Sequence, residues 1–175
     1  MQVLISDRTP TQVVPIGKRR AHESHVVIFV TGASGFIGRA LVAALVARGH
    51  AIVAAVREPM RQILPSPQVK LVVVDFERAT RVDDWRPLLD GADAVINAVG
   101  ILRETRTQTF ARIHVEAPRA LFVACAEERI GRIVQISALG SDDKAVTAYH
   151  RSKRAGDDAL LQAVPTGIVA QPSLV

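Results

Sequence analysis

The sequence predicts one α/β domain built as a doubly wound parallel sheet, and three observations lead to it. Residues 26–56 read as a strand, a glycine-rich turn, a helix and a second strand, which is a βαβ unit. Apolar strand-like runs then alternate with helical patterns along the rest of the chain. Hydrophobic residues make up 49 % of the 175 residues and aromatic residues only 4 %, which is typical of buried parallel strands under helices of small residues.

The predicted elements follow each other regularly from residue 25 onward. Strands are predicted over 26–31, 51–56, 70–74, 93–97, 132–137 and 167–170, and helices over 36–48, 81–89, 109–129 and 146–163. The continuous apolar run that ends at Val74 predicts a strand buried on both faces. Right-handed crossovers give the strand order 3-2-1-4-5-6, counted from the strand at 26–31, and ligands are expected at the carboxyl ends of these strands.

Residues 1–24 differ from the rest of the chain. Pro10, Pro15 and Gly17 interrupt any periodicity, and Lys18–Arg20 is a basic run. We expect a flexible basic extension here, or sequence translated upstream of the true domain start, followed by the folded domain at 25–175.

Charge and composition narrow the class of protein. The formal net charge is +5, but no aromatic residues interleave with the basic ones, so nucleic-acid binding is not expected. No apolar run reaches the roughly 18 residues of a membrane span, and Val3–Ile5 is too short for a secretory signal, so we expect a cytoplasmic protein. The single cysteine, Cys125, lies in an apolar helical pattern, which predicts a buried inert thiol, with a reactive thiol as the alternative. No metal site is predicted.

The turn from Thr31 to Gly38 carries the clearest chemical signal. Gly32 can make the tight turn because it has no Cβ, Gly35 leaves room for a pyrophosphate, and Gly38 lets the helix pack close to the strand. The helix N-terminus offers free N–H groups and a partial positive charge to phosphates. The pattern therefore predicts nucleotide binding at this turn, Ser34 included, and a purely structural glycine turn is the alternative.

Further candidate residues follow the other predicted strands. They are Arg57 after the second strand, Asp75 after the third, Asn97 and Ala98 after the fourth, and Ser137 after the fifth. Because the carboxyl ends of parallel strands share one edge of the sheet, we expect these positions to line the ligand cleft.

Tyr149 and Lys153 are spaced i, i+4 and share one face of a predicted helix. An ammonium beside a phenol favours the phenolate and lowers the pKa of the phenol. A hydroxyl from Ser137 could hold a substrate carbonyl opposite, which would complete an acid/base arrangement suited to hydride transfer. The alternative is that Tyr149 and Lys153 are ordinary residues of an amphipathic helix.

These motifs resemble the short-chain dehydrogenase/reductase superfamily. TGASGFIG is similar to the TGxxGFIG turn of its extended and atypical branches, the NAD-dependent epimerase/dehydratase group, and YHRSK is similar to the YxxxK motif. The resemblance runs from Val26 to Val175. NAVG and ISALG look most like the atypical NAD(P)H-binding proteins related to the 39 kDa-type accessory subunit of respiratory complex I.

The resemblance implies a role for each candidate residue. The glycines of the turn and the Phe36 and Ile37 amides would hold the pyrophosphate, Asp75 would contact the adenine, and Asn97 and Ala98 would line the path of the cofactor ribose. Ser137, Tyr149 and Lys153 would be the catalytic serine, tyrosine and lysine, and Lys153 would also reach the nicotinamide ribose. Two of these positions have plain alternatives, since Asp75 could cap the loop before the next helix and Ser137 could satisfy backbone groups at a strand end.

Two departures from the family pattern stand out. His114 occupies a position where many relatives carry an asparagine that supports a proton relay, and we expect a packing role rather than a relay. The last residues, Gln171–Val175, are similar to the family's R-P-x-x-V, which a substrate-binding portion normally follows. We therefore expect a chain truncated after the sixth strand, with the open edge of that strand available for self-association.

The cofactor predicted is NADP(H) rather than NAD(H). An NAD site usually places a carboxylate at the end of the second strand, whereas Arg57 stands there and suits a 2′-phosphate. Glu58 argues against this choice, because its carboxylate could accept a hydrogen bond from the ribose 2′-hydroxyl of NAD(H) if the strand ends one residue later. Three functions remain open: nucleotide binding with little turnover, an active NADP-dependent oxidoreductase or sugar-nucleotide epimerase/dehydratase, and a gene fragment without function. The substrate is not identified by the sequence.

Overall fold

The computed structural model describes residues 3–4, 26–58 and 66–173. One sheet holds the strands β1 (Val3–Leu4), β2 (Val27–Thr31), β3 (Ala51–Val56), β4 (Val69–Val73), β5 (Ala94–Asn97), β6 (Ile133–Ile136) and β7 (Ile168–Ala170). Their spatial order is β1-β7-β6-β5-β2-β3-β4, and every pair is parallel except β1 with β7. Counted from β2, this is the predicted order 3-2-1-4-5-6, so the doubly wound fold is confirmed.

The helices agree with the prediction at both ends of the chain and differ in its middle. The α-helices are α1 (Phe36–Val46), α2 (Arg86–Leu89), α3 (Ala117–Glu127) and α4 (Ala148–Ala163). The predicted helix at 81–89 is divided into a 3₁₀ turn, Val82–Asp84, and α2. The predicted helix at 109–129 begins as a π-helix, Ala111–Glu116, and continues as α3. Pro118 explains the change, because it has no N–H to donate to the His114 carbonyl four residues earlier.

The core lies on both faces of the sheet. On β2, Phe29 packs with the residues under α2, α3 and α4, whereas its neighbours Ile28 and Val30 pack toward α1. Trp85 is fully buried on the first of these faces, where its indole N–H donates to the Ala79 carbonyl at 2.9 Å. The alternation of side chains along β2 therefore fixes which helices lie on which face.

The two outer strands differ from what the sequence predicted. β4 is an edge strand, and its residues Leu71 and Val73 are 42 % and 59 % exposed, so the prediction of a strand buried on both faces is wrong. At the other edge, the expected open side of β7 is paired with β1, Val3 lying opposite Ala170 and Leu4 opposite Val169. The proposed route to self-association through an unpaired β7 thus has no support in this structure. Among the described residues, no helix is long and apolar enough to cross a membrane.

A close contact holds α4 against the π-helix. A Cβ placed on Gly156 would lie 2.3 Å from the His114 carbonyl oxygen, far inside van der Waals contact. Two backbones therefore approach here at a distance that only glycine allows.

We expect Gly156→Ala to lower the free energy of unfolding by about 1–3 kcal/mol, because the added methyl group has no space and the backbone must shift. Urea denaturation of the purified protein measures it. Gly131→Ala is the matched control, since a Cβ at Gly131 meets no atom within 4 Å. Equal stabilities of the two variants would contradict the contact.

Candidate functional site

The glycine turn folds as the motif requires. Gly32 has a φ of +64°, in the left-handed region, and its carbonyl accepts from the Gly35 N–H at 2.9 Å. A Cβ on Gly38 would lie 2.0 Å from the same Gly32 carbonyl oxygen. The close approach of α1 to the end of β2 therefore depends on glycine at both positions.

The N-terminus of α1 is open toward this turn. α1 begins at Phe36 after Gly35, and no side chain of the described residues caps it. The first amides of the helix, among them Phe36 and Ile37, have no acceptor within the helix. Together with the helix dipole they suit a phosphate group, as predicted.

A cavity of about 290 Å³ lies on one side of the turn. Its lining includes Gly32, Ser34, Arg57, Ala98 and Gln108. The exposed guanidinium of Arg57 is thus brought to the predicted adenosine side of the cleft.

Asp75 is not among the residues that line this cavity. Its Oδ1 accepts from the Glu77 N–H at 3.0 Å, and its Oδ2 forms an exposed ion pair with Arg78 at 3.5 Å. The side chain thus caps the loop after β4, as the alternative reading expects, and its contact with the adenine stays a prediction.

Asn97 belongs to a buried polar row that crosses three neighbouring strands. Its side-chain oxygen accepts from the Thr31 hydroxyl at 2.5 Å, and its amide donates to Gln135 Oε1 at 2.6 Å. These three residues are in register on β2, β5 and β6. The oxygen and the amide of the Asn97 side chain both form hydrogen bonds within this row, whereas Ala98 lines the cleft.

A second cavity, of about 280 Å³, lies on the other side of the turn. Gly35, Phe36, Ile37 and Ala98 line it together with all three predicted catalytic residues, Ser137, Tyr149 and Lys153. The structure thus brings the end of β6, the start of α4 and the glycine turn into one cleft, with the predicted nicotinamide side opposite Arg57.

Lys153 is held at the floor of this cavity. Its Nζ donates to the Ile136 carbonyl at 2.6 Å, and the side chain is 3 % exposed. Burial lowers the pKa of Lys153 to about 8, while attraction to Asp157 acts in the opposite direction. Burial raises the pKa of the Tyr149 phenol. In the free protein, the expected lowering of the pKa of Tyr149 by Lys153 is therefore not what the structure gives.

Ser137 lines the cavity, but its hydroxyl proton is directed elsewhere. The Ser137 O–H donates to Asp157 Oδ2 at 2.5 Å, and both side chains are buried. Asp157 was not predicted from the sequence. It lies four residues after Lys153, just as Lys153 lies four residues after Tyr149, and this repeated spacing was the available signal.

His114 links the cleft wall to α4. Its Nε2 accepts from the Ile101 N–H at 3.0 Å, so the proton resides on Nδ1, which lies 2.8 Å from the Ser152 hydroxyl. Ser152 donates in turn to the Tyr149 carbonyl at 2.7 Å. Burial, with a contribution from Lys153, lowers the pKa of His114 to about 3, so the ring is neutral and both nitrogens are occupied. The ring is buried and hydrogen-bonded within the fold, and the choice of a packing role over a relay stays a prediction.

A third cavity, of about 500 Å³, lies beside Tyr149, and Arg57 is not among its lining residues. Most of its lining is apolar: Phe36, Ile37, Leu102, Ala138, Leu139 and Pro172. Three of these side chains are unusually exposed, Phe36 at 71 %, Leu102 at 76 % and Leu139 at 59 %. The space next to the Tyr149 phenol is therefore bounded mainly by hydrocarbon.

The structure also bears on two other kinds of site, a reactive cysteine and a metal site. Cys125 is fully buried, and burial raises the pKa of its thiol to about 12, which is the expected inert thiol. Within residues 26–58 and 66–173, no group of three or more His, Cys, Asp or Glu side chains is arranged to hold a metal ion.

Comparison with known proteins agrees with this geometry. Residues 32–164 match the family described as NAD(P)H-binding. Ceramide reductase of Caulobacter vibrioides is 30 % identical over 156 residues, which cover 89 % of this chain and 48 % of that protein. NADH dehydrogenase (ubiquinone) 1 alpha subcomplex subunit 9 of Rattus norvegicus mitochondria is 30 % identical over 166 residues, or 92 % of this chain and 44 % of that protein. The chain spans about half the length of these curated relatives.

Solved structures share the fold. A putative NAD-dependent epimerase/dehydratase from Bacillus halodurans has a TM-score of 0.70 at 23 % identity, over 85 % of this chain and 70 % of that one. UDP-glucuronic acid 4-epimerase from Bacillus cereus, solved with NAD, has a TM-score of 0.69 at 17 % identity, over 84 % of this chain and 56 % of that one. The family match spans residues 32–164, well over half of the chain, and shows that the chain belongs to the NAD(P)H-binding family.

Proposed function

We propose that the protein binds NADP(H) across the carboxyl ends of β2, β5 and β6. One observation carries this proposal: the uncapped N-terminus of α1 lies between two cavities, one reached by Arg57 and the other by Tyr149 and Lys153. A dinucleotide has this layout, with a pyrophosphate between an adenosine and a nicotinamide ribose. The pyrophosphate would lie on the α1 amides, and Lys153 would reach the nicotinamide ribose.

The choice of NADP(H) over NAD(H) rests on Arg57. No carboxylate is among the described residues that line the adenosine-side cavity, whereas the Arg57 guanidinium is. A guanidinium can bind a 2′-phosphate through two parallel hydrogen bonds. Glu58 is the neighbouring residue that would favour a free 2′-hydroxyl, and the test below separates the two.

We propose that this 175-residue chain binds the cofactor with little turnover. The chain spans about half the length of its curated relatives, and the cavity beside Tyr149 is bounded by exposed side chains such as Leu102 and Leu139. A site open to water weakens electrostatic interactions at the phenol and positions a substrate poorly.

A second candidate function is reduction of an apolar carbonyl compound or oxidation of the matching alcohol. The hydrocarbon lining of the cavity beside Tyr149 favours it over a sugar-nucleotide reaction, because a diphosphate and a sugar need charged and polar partners. The relative from Caulobacter is named a ceramide reductase, which is consistent with an apolar substrate. In either reaction Tyr149 would exchange the proton.

We expect Arg57→Ala to weaken NADPH binding about tenfold and to leave NADH binding unchanged, because a charged hydrogen-bond partner of the 2′-phosphate is lost. Isothermal titration calorimetry with both cofactors measures it, and NADPH should also raise the melting temperature. Arg48→Ala, an exposed arginine just beyond the other end of α1, is the control. Tighter binding of NADH than of NADPH, indifferent to Arg57→Ala, would refute the cofactor assignment.

For the apolar cavity, 2-alkanones of increasing chain length serve as probes in the presence of NADP⁺. Each added methylene should tighten binding by a factor of about four, since its burial contributes about 0.8 kcal/mol. Ligand-observed NMR titration measures the affinities. Leu139→Asp should abolish the trend, and Leu71→Asp, on the distant β4, should not. UDP-glucose binding that exceeds that of every alkanone would favour the sugar-nucleotide alternative instead.

Where NADPH oxidation with an alkanone is measurable, Tyr149→Phe should remove most of it and leave NADPH affinity nearly unchanged, because the ring is kept and only the transferable proton is lost. Lys153→Ala should reduce both turnover and affinity, as it serves the phenol and the ribose. Initial rates and calorimetry on the same preparations provide the comparison. Full activity of Tyr149→Phe would contradict the assignment of the proton donor.

A further inference from the structure

Two ionisable side chains of α4 are held by consecutive residues at the end of β6. Lys153 Nζ donates to the Ile136 carbonyl at 2.6 Å, and Asp157 Oδ2 accepts from the Ser137 hydroxyl at 2.5 Å. Lys153 and Asp157 are one helical turn apart, on the same face of α4. Only 3 % of Lys153 and 4 % of Asp157 are exposed, so both polar groups are almost completely removed from water.

A buried carboxylate with a single hydrogen bond is unfavourable unless a positive charge compensates it. Asp157 Oδ1 has no hydrogen-bond partner among the described residues, so Ser137 alone does not satisfy the group. The other cation near it, Arg154, already pairs with Asp143 at 2.7 Å and Asp158 at 2.9 Å. Within the described part of the chain, Lys153 is the other cation that acts on Asp157, and the two interact electrostatically.

We propose that Asp157, fixed by Ser137, is a positioning residue that acts through Lys153 by keeping its ammonium group protonated. The inference rests on the proposed function, in which Lys153 serves the phenol and the nicotinamide ribose. Ser137 then serves Asp157 rather than the substrate carbonyl. Ser137 thus acts on Asp157, and Asp157 acts on Lys153. In this way the end of β6 controls the positive charge of Lys153 at the nicotinamide side of the cleft.

The surrounding charges agree with this arrangement. Burial lowers the pKa of Lys153 to about 8 and raises that of Asp157 to about 6, and the attraction between the two opposes both shifts. The Ser137 hydrogen bond also favours the ionised form of Asp157, and Asp158 acts against it. His114, which faces Lys153 from the π-helix, is neutral at pH 7 and adds no repulsion there. Near neutral pH the pair is therefore ionised, and loss of the carboxylate would release the Lys153 proton at lower pH.

The test is a pH titration of Lys153 in the cofactor-free protein by ¹³C NMR of ¹³Cε-labelled lysine. The chain has only four lysines, at positions 18, 70, 144 and 153, and Lys153→Arg identifies the signal. Asp157→Asn should lower the titration midpoint of Lys153 by about 1 pH unit or more. Asp158→Asn is the matched control, a neighbouring carboxylate that is half exposed and bound to Arg154, and should leave the midpoint in place.

Ser137→Ala provides an independent arm that retains the carboxylate. Loss of its hydrogen bond should favour protonated Asp157 and lower the Lys153 midpoint by a smaller amount, and it should add nothing in the Asp157→Asn background. An unchanged midpoint in Ser137→Ala, or in folded Asp157→Asn, would overturn the proposal. NADPH titration of the wild type is the separate test of the proposed function. Its failure would leave the coupling of the two side chains intact.

Discussion

The cleft depends on two places where backbones meet without side chains between them. Gly38 lets α1 approach the Gly32 carbonyl, and Gly156 lets α4 approach the His114 carbonyl. The first contact aims the N-terminus of α1 across the end of β2, and the second sets the depth at which α4 places Tyr149 and Lys153. Side chains at either glycine would separate these elements, so the distance between the glycine turn and the Tyr149 phenol follows from backbone contact.

Much of the fold could be predicted, because its signals are local. Continuous apolar runs and period-3.6 patterns located the parallel strands and most helices, and the handedness of crossovers then predicted their order. The errors arose where a distant partner decides the outcome. The exposure of Leu71 follows from the position of β4 at the sheet edge, and the pairing of β7 with β1 joins residues far apart in the sequence. The π-helix was not predicted, although Pro118 is visible in the sequence and has no N–H to donate. The apolar pattern of residues 109–129 favoured one regular helix instead.

In the candidate site, too, the residues with local sequence signals were predictable and those that depend on distant partners were not. The glycine turn, Arg57 and the Tyr149–Lys153 pair were predictable, since motif spacing and strand ends place them. The partners of Asn97, Ser137 and His114 were not, because their hydrogen bonds join residues 66, 20 and 38 positions apart. The sequence alone assigned Asn97 and Ser137 to the ligand, whereas it predicted a packing role for His114. Once the strands are in register, the fold itself uses their hydrogen-bonding capacity.

This division helps to distinguish structural from functional polar groups around the cleft. Asn97 donates and accepts within the row formed with Thr31 and Gln135, and His114 has both ring nitrogens occupied. Groups satisfied in this way rigidify the walls but offer little to a ligand. Arg57 and Tyr149, in contrast, line the two cavities that adjoin the glycine turn. The groups left to bind a dinucleotide are thus those that its two ends would reach.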